Sequence, residues 1–415
     1  VTDETIRVVV ERVAHGGHCV ARHEGRVVFV RHALPGEVVD AVITGEGPRG
    51  KFLRADAVTV VEASPDRVPA PCEHARPGGC GGCDWQHVAP ARQRELKAEV
   101  LREQLERLGG VREIGGRPLT EAVVVEQVAG DRDGLAWRTR VSYAVDDAGA
   151  VGLRRHRSHE VEPLERCPLV TDEVDEVGVT RRGWPGSERI DVVATSTGQR
   201  ALLVHPSTPR DATRGLPDDV AVPGTRGRRW VAERAGGRDW RVDAAGFWQV
   251  HPGAADTLVS AVHQALRPRP GEHLLDLYAG VGLFAGALAA DLGTDGTVDA
   301  VEASARACAD ARRNLHDLRG VRIHERAVAS WLRHEAPDRA DIVVLDPPRS
   351  GAGAEVMGAV LALRPRAVAY VACDPAALGR DVGIAREAGW ELRSVRGFDL
   401  FPMTQHVEAV ALLVP

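Results

Sequence analysis

Residues 5–62 carry five short runs rich in Val and Ile: Ile6 to Val10, Gly17 to Arg22, Arg26 to Val30, Glu37 to Ile43 and Phe52 to Val61. Turn residues separate them at Gly16-Gly17, Pro35-Gly36 and Gly45 to Gly50. Such runs predict strands. Their density predicts a small closed barrel of the OB type, which can bind single-stranded nucleic acid or serve as a structural appendage.

The pattern then changes period. Ser64 to Pro71, with three prolines, reads as a linker. From Pro90 to Leu108 the apolar positions Leu96, Val100, Leu101, Leu105 and Leu108 share one helical face, and Gly109-Gly110 ends the run. Residues 120–245 are mixed. Trp137 to Val145 and Val151 to Arg155 predict a hairpin around Asp146-Asp147-Ala148-Gly149. The stretches Arg181 to Gly186 and Pro206 to Gly237 read as loops.

From residue 255 the reading is cleaner. A helix over 255–266 precedes strands near 273–278, 297–302, 321–325, 341–346, 367–372, 391–397 and 407–414, with helical stretches between most of them. Repeated strand–helix units imply a doubly wound, mostly parallel sheet. The division that follows is 1–63, an OB-like β-barrel; 64–250, a central α+β domain; and 251–415, an α/β Rossmann-like domain.

Composition narrows the partners. The chain has 415 residues, 44% hydrophobic and 27% charged, with a net charge of −6, so any nucleic-acid contact must rest on a local basic face. Basic clusters stand at Arg138 to Arg140 and at Arg154-Arg155-His156-Arg157; each fits phosphate contacts or a solvated hairpin face. Nothing reads as a transmembrane run or a signal-peptide core, so the expected location is the cytoplasm. Seven cysteines there should be thiols, metal ligands or catalytic groups rather than disulfides.

Candidate chemistry sits at the predicted strand ends. His273 to Tyr278 leads into Ala279-Gly280-Val281-Gly282, a glycine loop that lets backbone approach a ligand at a helix mouth. Glu302 ends the next strand, where a carboxylate can hold ribose hydroxyls. Loop and carboxylate together fit a nucleotide-type cofactor without separating NAD from S-adenosylmethionine; a tight turn with a surface Glu is the bland reading. Asp346-Pro347-Pro348-Arg349 follows another strand. Its prolines stiffen the loop and remove two N–H donors, which can aim the Asp346 carboxylate at a planar base. Cys373 lies at the end of a strand and before Asp374-Pro375, where a following helix N-terminus should favour a thiolate. Cys308, among alanines in a helix, and Cys19, beside a barrel turn, read as structural thiols. Glu408 interrupts the apolar run Val407 to Leu413, a costly place for a charge unless it is used or paired.

Cys72, Cys80 and Cys83 are spaced by seven and then two residues, with Cys167 far downstream. Glycines 78, 79, 81 and 82 let the backbone wrap a metal centre. Four thiols in this arrangement fit a [4Fe–4S] cluster better than Zn, because Cys167 has no near partner for a second zinc knuckle.

Taken together these residues resemble the RNA uracil-carbon-5 methyltransferase family, which makes 5-methyluridine in tRNA and 23S rRNA. The resemblance spans nearly the whole chain. The first 62 residues resemble its TRAM RNA-binding domain, and the CGGCDWQH string its cluster segment. Phe247-Trp248-Gln249-Val250-His251 resembles its FxQxN cofactor segment. DLYAGVG, DPPRSG, ACDP and HVEAVALL resemble its catalytic motifs. The resemblance implies that Cys373 attacks carbon 6 of uracil, carbon 5 takes the methyl group of S-adenosylmethionine, and Glu408 removes the carbon 5 proton. Asp346 would contact the base or position the methyl donor. Gln249, Tyr278, Glu302 and Asp346 would bind the cofactor, with Gly280 and Gly282 in its loop. Cys167 would be the fourth ligand of a [4Fe–4S] centre. A barrel plus a cluster resembles the 23S rRNA branch more than the tRNA branch. Leu283 and His251 depart from the family pattern, which has Asn at both. A monomer is expected.

Two other readings remain open. An RNA nitrogen methyltransferase would not need the Cys373 thiol. An RNA-binding protein with a decayed methyltransferase domain would bind RNA but not S-adenosylmethionine. An NAD dehydrogenase is more distant.

Overall fold

A computed structural model describes residues 5–206 and 213–415. Residues 1–4 and 207–212 lie outside the described residues, the latter within a stretch expected to form a loop.

Strands Thr5–Val13, Cys19–His23, Arg26–Arg31, Val38–Glu46 and Phe52–Glu62 close into a barrel as expected. The first strand alternates exposed and buried positions, so Ile6, Val8 and Val10 point inward. They meet Val28, Val30, Val39, Leu53 and Ala55 in a core belonging to the barrel itself. The expected linker is anchored rather than loose. The fully buried Glu37 accepts two hydrogen bonds from the Arg67 guanidinium, at 2.6 and 2.7 Å, and others from the backbone N–H groups of Leu34 and Ser64.

The helix Pro90–Arg107 buries Leu96, Val100, Leu101 and Leu105 as its pattern predicts. Leu108 is the exception: it lies beyond the last helical turn and is 40% exposed. This helix packs on a second one, Pro375–Glu387, at very short range. A Cβ on Gly379 would lie 2.5 Å from the Gln104 carbonyl oxygen, so glycine is required at the crossing.

The central region holds more strand than its polarity suggests. A six-stranded sheet runs Val161–Pro163, Val151–Arg154, Arg140–Val145, Arg189–Ala194, Arg200–His205 and Val220–Ala221. The expected hairpin is present, and Asp146 Oδ1 accepts from the N–H groups of Ala148 and Ala150 to hold its turn. Trp230–Ala235 and Arg238–Asp243 form a separate hairpin whose first strand lies inside a stretch expected to be loop.

The last layer is an eight-stranded sheet in the order Val321–Glu325, Thr297–Glu302, His273–Leu277, Ile342–Leu345, Ala367–Ala372, Glu408–Val414, Glu391–Asp399 and Val125–Gln127. The first five are parallel; Glu408–Val414 runs antiparallel to both of its neighbours. Strands such as Ala367–Ala372 are buried at every position, as a sheet covered on both faces requires. The strand Val125–Gln127 completes the sheet from a distant part of the chain. Among the described residues no helix is long and apolar enough to cross a membrane.

Candidate functional site

Five neighbouring strands bring their chemistry to one edge of the sheet. In spatial order the groups are Glu302, the Asp276–Gly282 loop, Asp346, Cys373 and Glu408. Parallel strands place their C-terminal ends on one side. Glu408 joins them because its strand runs the opposite way and begins where the others end.

The glycine loop is tied to Glu302. The Glu302 carboxylate accepts from Gly280 N–H at 3.0 Å and from Ser304 N–H at 2.7 Å. Gly280 and Gly282 both adopt left-handed φ, +55° and +90°. A Cβ on Gly282 would press to 2.7 Å from Leu315, whereas one on Gly280 would meet only open space. Thus Gly282 serves packing, and Gly280 leaves its backbone bare. Tyr278 also takes a left-handed φ, +66°, and is half-buried.

Asp276 is fully buried; its Oδ2 accepts from Ala285 N–H at 2.8 Å. Its Oδ1 has no hydrogen-bond partner among the described residues. Burial, and then the charge of Glu302, push its carboxyl up to about 7. Asp346 is likewise pushed up to about 7, by desolvation and by Asp276. Glu408, 4% exposed, is raised well above the usual carboxylate range by burial and Asp346, with Arg349 opposing.

Cys373 departs from expectation. Desolvation first, then Glu408, push its thiol up to about 11, with Asp346 and Asp374 adding to the rise and Arg349 opposing it. The helix end gives no compensation. Asp374 caps the helix Pro375–Glu387 by accepting from Ala377 N–H at 2.8 Å, so a carboxylate takes the place a thiolate would have used. Asp374 is also bonded at 3.1 Å by His15, from the barrel.

Sequence reasoning did not assign roles to Arg349, Asp276 or His15. The first two stand inside the DPPR and DLYAGVG strings; His15 carries no local signal.

The FWQVH segment joins the apolar core that contains the glycine loop's buried residues. Trp248 belongs to the same apolar cluster as Ala279, Val281 and Leu283. The half-buried Gln249 amide makes no hydrogen bond within the described chain. Phe247 is 74% exposed. The two departures fill interior space. Leu283 is buried in the cluster, and His251 stacks on Trp137 and accepts from Gly253 N–H at 3.1 Å, where the helix Ala254–Leu266 begins.

The cysteines form a second centre. Cys72, Cys80, Cys83 and Cys167 line one pocket together with Gln86, Arg138 and Leu153, and all four are free. Burial raises Cys72, and raises Cys83 strongly; it pushes Cys80 up to about 11. Two N–H groups already point at sulfur: Gln86 Nε2 donates to Cys83 at 3.2 Å and Gly82 N–H to Cys80 at 3.4 Å. The segment is stitched to the central hairpin by Gly81 N–H on the Arg154 carbonyl at 3.0 Å. A Cβ on Gly81 would lie 2.8 Å from His156 N, and one on Gly79 2.4 Å from the His74 carbonyl oxygen. Among the described residues no three His, Cys, Asp or Glu side chains are arranged to hold a metal ion.

Comparison with known proteins gives the arrangement its context. The TRAM domain family matches residues 3–58 and the methyltransferase small domain family residues 252–375. An RNA methyltransferase of Streptomyces avermitilis is 51% identical, covering 99% of this chain and 98% of that protein. The 23S rRNA (uracil(1939)-C(5))-methyltransferase of Alkalilimnicola ehrlichii is 32% identical over 99% of this chain and 96% of its own. The fold matches the tRNA (uracil-54, C5)-methyltransferase of Pyrococcus abyssi with a TM-score of 0.70 at 22% identity, over 98% of this chain and 99% of that one. The chain belongs to the S-adenosylmethionine-dependent RNA methyltransferases, in the uracil-C5 family that carries an N-terminal TRAM domain.

Proposed function

We propose that the protein methylates carbon 5 of a uridine in RNA, with 23S rRNA favoured over tRNA, and that it acts as a monomer. One observation carries the reading: a half-buried thiol and a buried carboxyl, Cys373 and Glu408, face each other on paired strands beside a glycine loop held by Glu302.

In this reading the Cys373 thiolate adds to carbon 6 of uracil, and the electron pair released makes carbon 5 an enolate-like nucleophile. S-adenosylmethionine, when bound, supplies the methyl group that carbon 5 takes up. Glu408 then removes the carbon 5 proton; the double bond re-forms and the carbon–sulfur bond breaks, returning the thiolate. A carboxylate lifted above its usual range is a better base for a carbon-bound proton. Glu302 and Gly280 would hold the adenosine part, Gln249 and Tyr278 would flank it, and Asp346 would contact the base or position the methyl donor. The open space at Gly280, the unpaired Asp276 Oδ1 and the free Gln249 amide suit a polar ligand along this edge.

The uridine must leave its stack to reach Cys373. A surface suited to the flanking RNA lies where the barrel meets the central hairpin. His18, Phe29 and Phe52 from the barrel and His156 from the hairpin form a chain of edge-on rings, with Arg54 over Phe52. Burial, helped by Arg31 and Arg157, lowers both histidines to about 4, so they are neutral rings in a positive field. Rings and cations together are what single-stranded RNA stacks on.

The four cysteines would hold a [4Fe–4S] cluster. Support comes from four thiols that line one pocket, from the N–H groups aimed at two sulfurs, and from Arg138 as a countercharge. Its role would be to pin residues 72–87 to the hairpin.

The deciding experiment is nucleoside mass spectrometry of separated 23S rRNA and tRNA from cells with and without the gene. Loss of 5-methyluridine from the rRNA fraction is expected; unchanged 5-methyluridine in both fractions would overturn the reading.

A further inference from the structure

The loop between strands Glu391–Asp399 and Glu408–Val414 leads directly into Glu408, and much of it is gripped from outside the sheet. Met403 sits at its turn with φ +65°, a left-handed backbone unfavourable for a residue with a side chain. Every polar group of Met403 is taken. Its N–H donates to Gln93 Oε1 at 2.8 Å, and its carbonyl accepts from Trp85 N–H at 3.0 Å. Its sulfur receives Gln93 Nε2 at 3.2 Å. At the start of the loop Lys97 Nζ donates to Asp399 Oδ1 at 2.6 Å and to the Phe401 carbonyl at 2.9 Å. Near its end Gln405 N–H lies 3.4 Å from Asp84 Oδ2.

Gln93 and Lys97 are four residues apart on one face of the helix Pro90–Arg107, and each is 1% exposed. An amide and an ammonium buried this deeply persist only when their donors are satisfied. Both Lys97 bonds go to the loop before Glu408, and Gln93 bonds Met403 there while its amide also donates to the carbonyls of Trp85 and Val88. Met403 also shares an apolar cluster with Cys83 and Cys167.

We propose that Gln93 and Lys97 are positioning residues for Glu408: they hold the 399–406 loop, and so the carboxyl that follows it, at the distance from Cys373 that proton removal needs. This rests on the reading of Glu408 as the base. In that step the carboxylate takes the carbon 5 proton, the C–H electron pair becomes the C5=C6 bond, and the C6–S bond breaks. A misplaced Glu408 slows elimination after methyl transfer is complete. Methylated RNA then stays covalently attached to Cys373.

The test uses the full chain with 23S rRNA and S-adenosylmethionine, and reads protein–RNA adducts on denaturing gels alongside kcat and KM. Gln93→Leu and Lys97→Met should accumulate adduct and lose roughly tenfold or more in kcat, with KM for RNA unchanged within about twofold. Gln104→Leu is the control: it lies buried on the same helix, and among the described residues its side chain hydrogen-bonds only to Glu103, at 3.5 Å. Adduct and kcat at the unaltered level in the two variants, or the same change in the control, would overturn the proposal. Glu408→Gln must itself accumulate adduct; if it does not, the base reading has failed rather than the positioning. Should the variants not fold, hydrogen exchange of the unaltered protein decides. The Met403 amide should exchange as slowly as the middle of the helix Pro90–Arg107, and exchange at the rate of an open loop would overturn the proposal.

Discussion

Cys373 and Glu408 face each other across an antiparallel strand pair whose register, Val371 to Val410 and Ala372 to Ala409, makes them the next opposed positions. Burial and then the charge of Glu408 lift the Cys373 thiol to about 11. The free protein therefore holds the thiol protonated near neutrality. Cys373→Ala should abolish 5-methyluridine formation while leaving S-adenosylmethionine binding intact. Retained activity would favour nitrogen methylation.

The pH dependence follows in sign. Below a thiol pKa of about 11 the thiolate fraction grows roughly tenfold per pH unit, so kcat/KM should still be climbing at pH 9, beyond where an ordinary thiol at about 8.5 has half ionised. Arg349 opposes the rise at both Cys373 and Glu408. Arg349→Ala should lower the rate at neutral pH and move the profile to higher pH; a profile identical to that of the unaltered protein would count against the assignment.

Glu302 holds Gly280 and Ser304 through charge-assisted hydrogen bonds. Glu302→Ala should weaken S-adenosylmethionine binding by about 10–100-fold in titration calorimetry, the equivalent of roughly 1.5–3 kcal/mol for bonds to a charged group. RNA affinity should change little.

On the strand next to the sheet edge Asp299, 3% exposed, accepts from His273, His324 and the Arg322 guanidinium, all at 2.7–2.8 Å. Burial would raise its carboxyl, but these hydrogen bonds prevail and hold it well below the usual range. A depressed folded pKa means stability present above the unfolded value, about 3.9, and lost as pH falls towards the folded one. Asp299→Asn should therefore lower the urea midpoint at pH 7, and the difference should shrink below about pH 4. A constant difference would show that charge is not the cause.

Anaerobically purified protein should be brown with about four irons per chain. Cys83→Ser or Cys167→Ser should remove the colour. Colourless protein with stoichiometric zinc would exclude the cluster.

Local signals carried much of the architecture. Val- and Ile-rich runs between turn residues in 5–62 mark strands that do close into a barrel, and the strand ends Glu302, Asp346 and Cys373 could be named because a parallel sheet sends every such end to the same side. The 3.6-residue period likewise identified the helix Pro90–Arg107. Three things were decided by packing across distance. The strand Val125–Gln127 joins a sheet otherwise formed by residues after 272, which no local period can announce. The Cys373 thiol is raised rather than lowered, because it is buried and Glu408 arrives from a strand far along the chain, while Asp374 occupies the helix cap. Gln93 and Lys97 read as ordinary polar helix positions, yet they lie buried against Met403 and Asp399. Periodicity reports which side of an element is covered. It does not report by what, and the charges and hydrogen bonds that set this chemistry come from that covering partner.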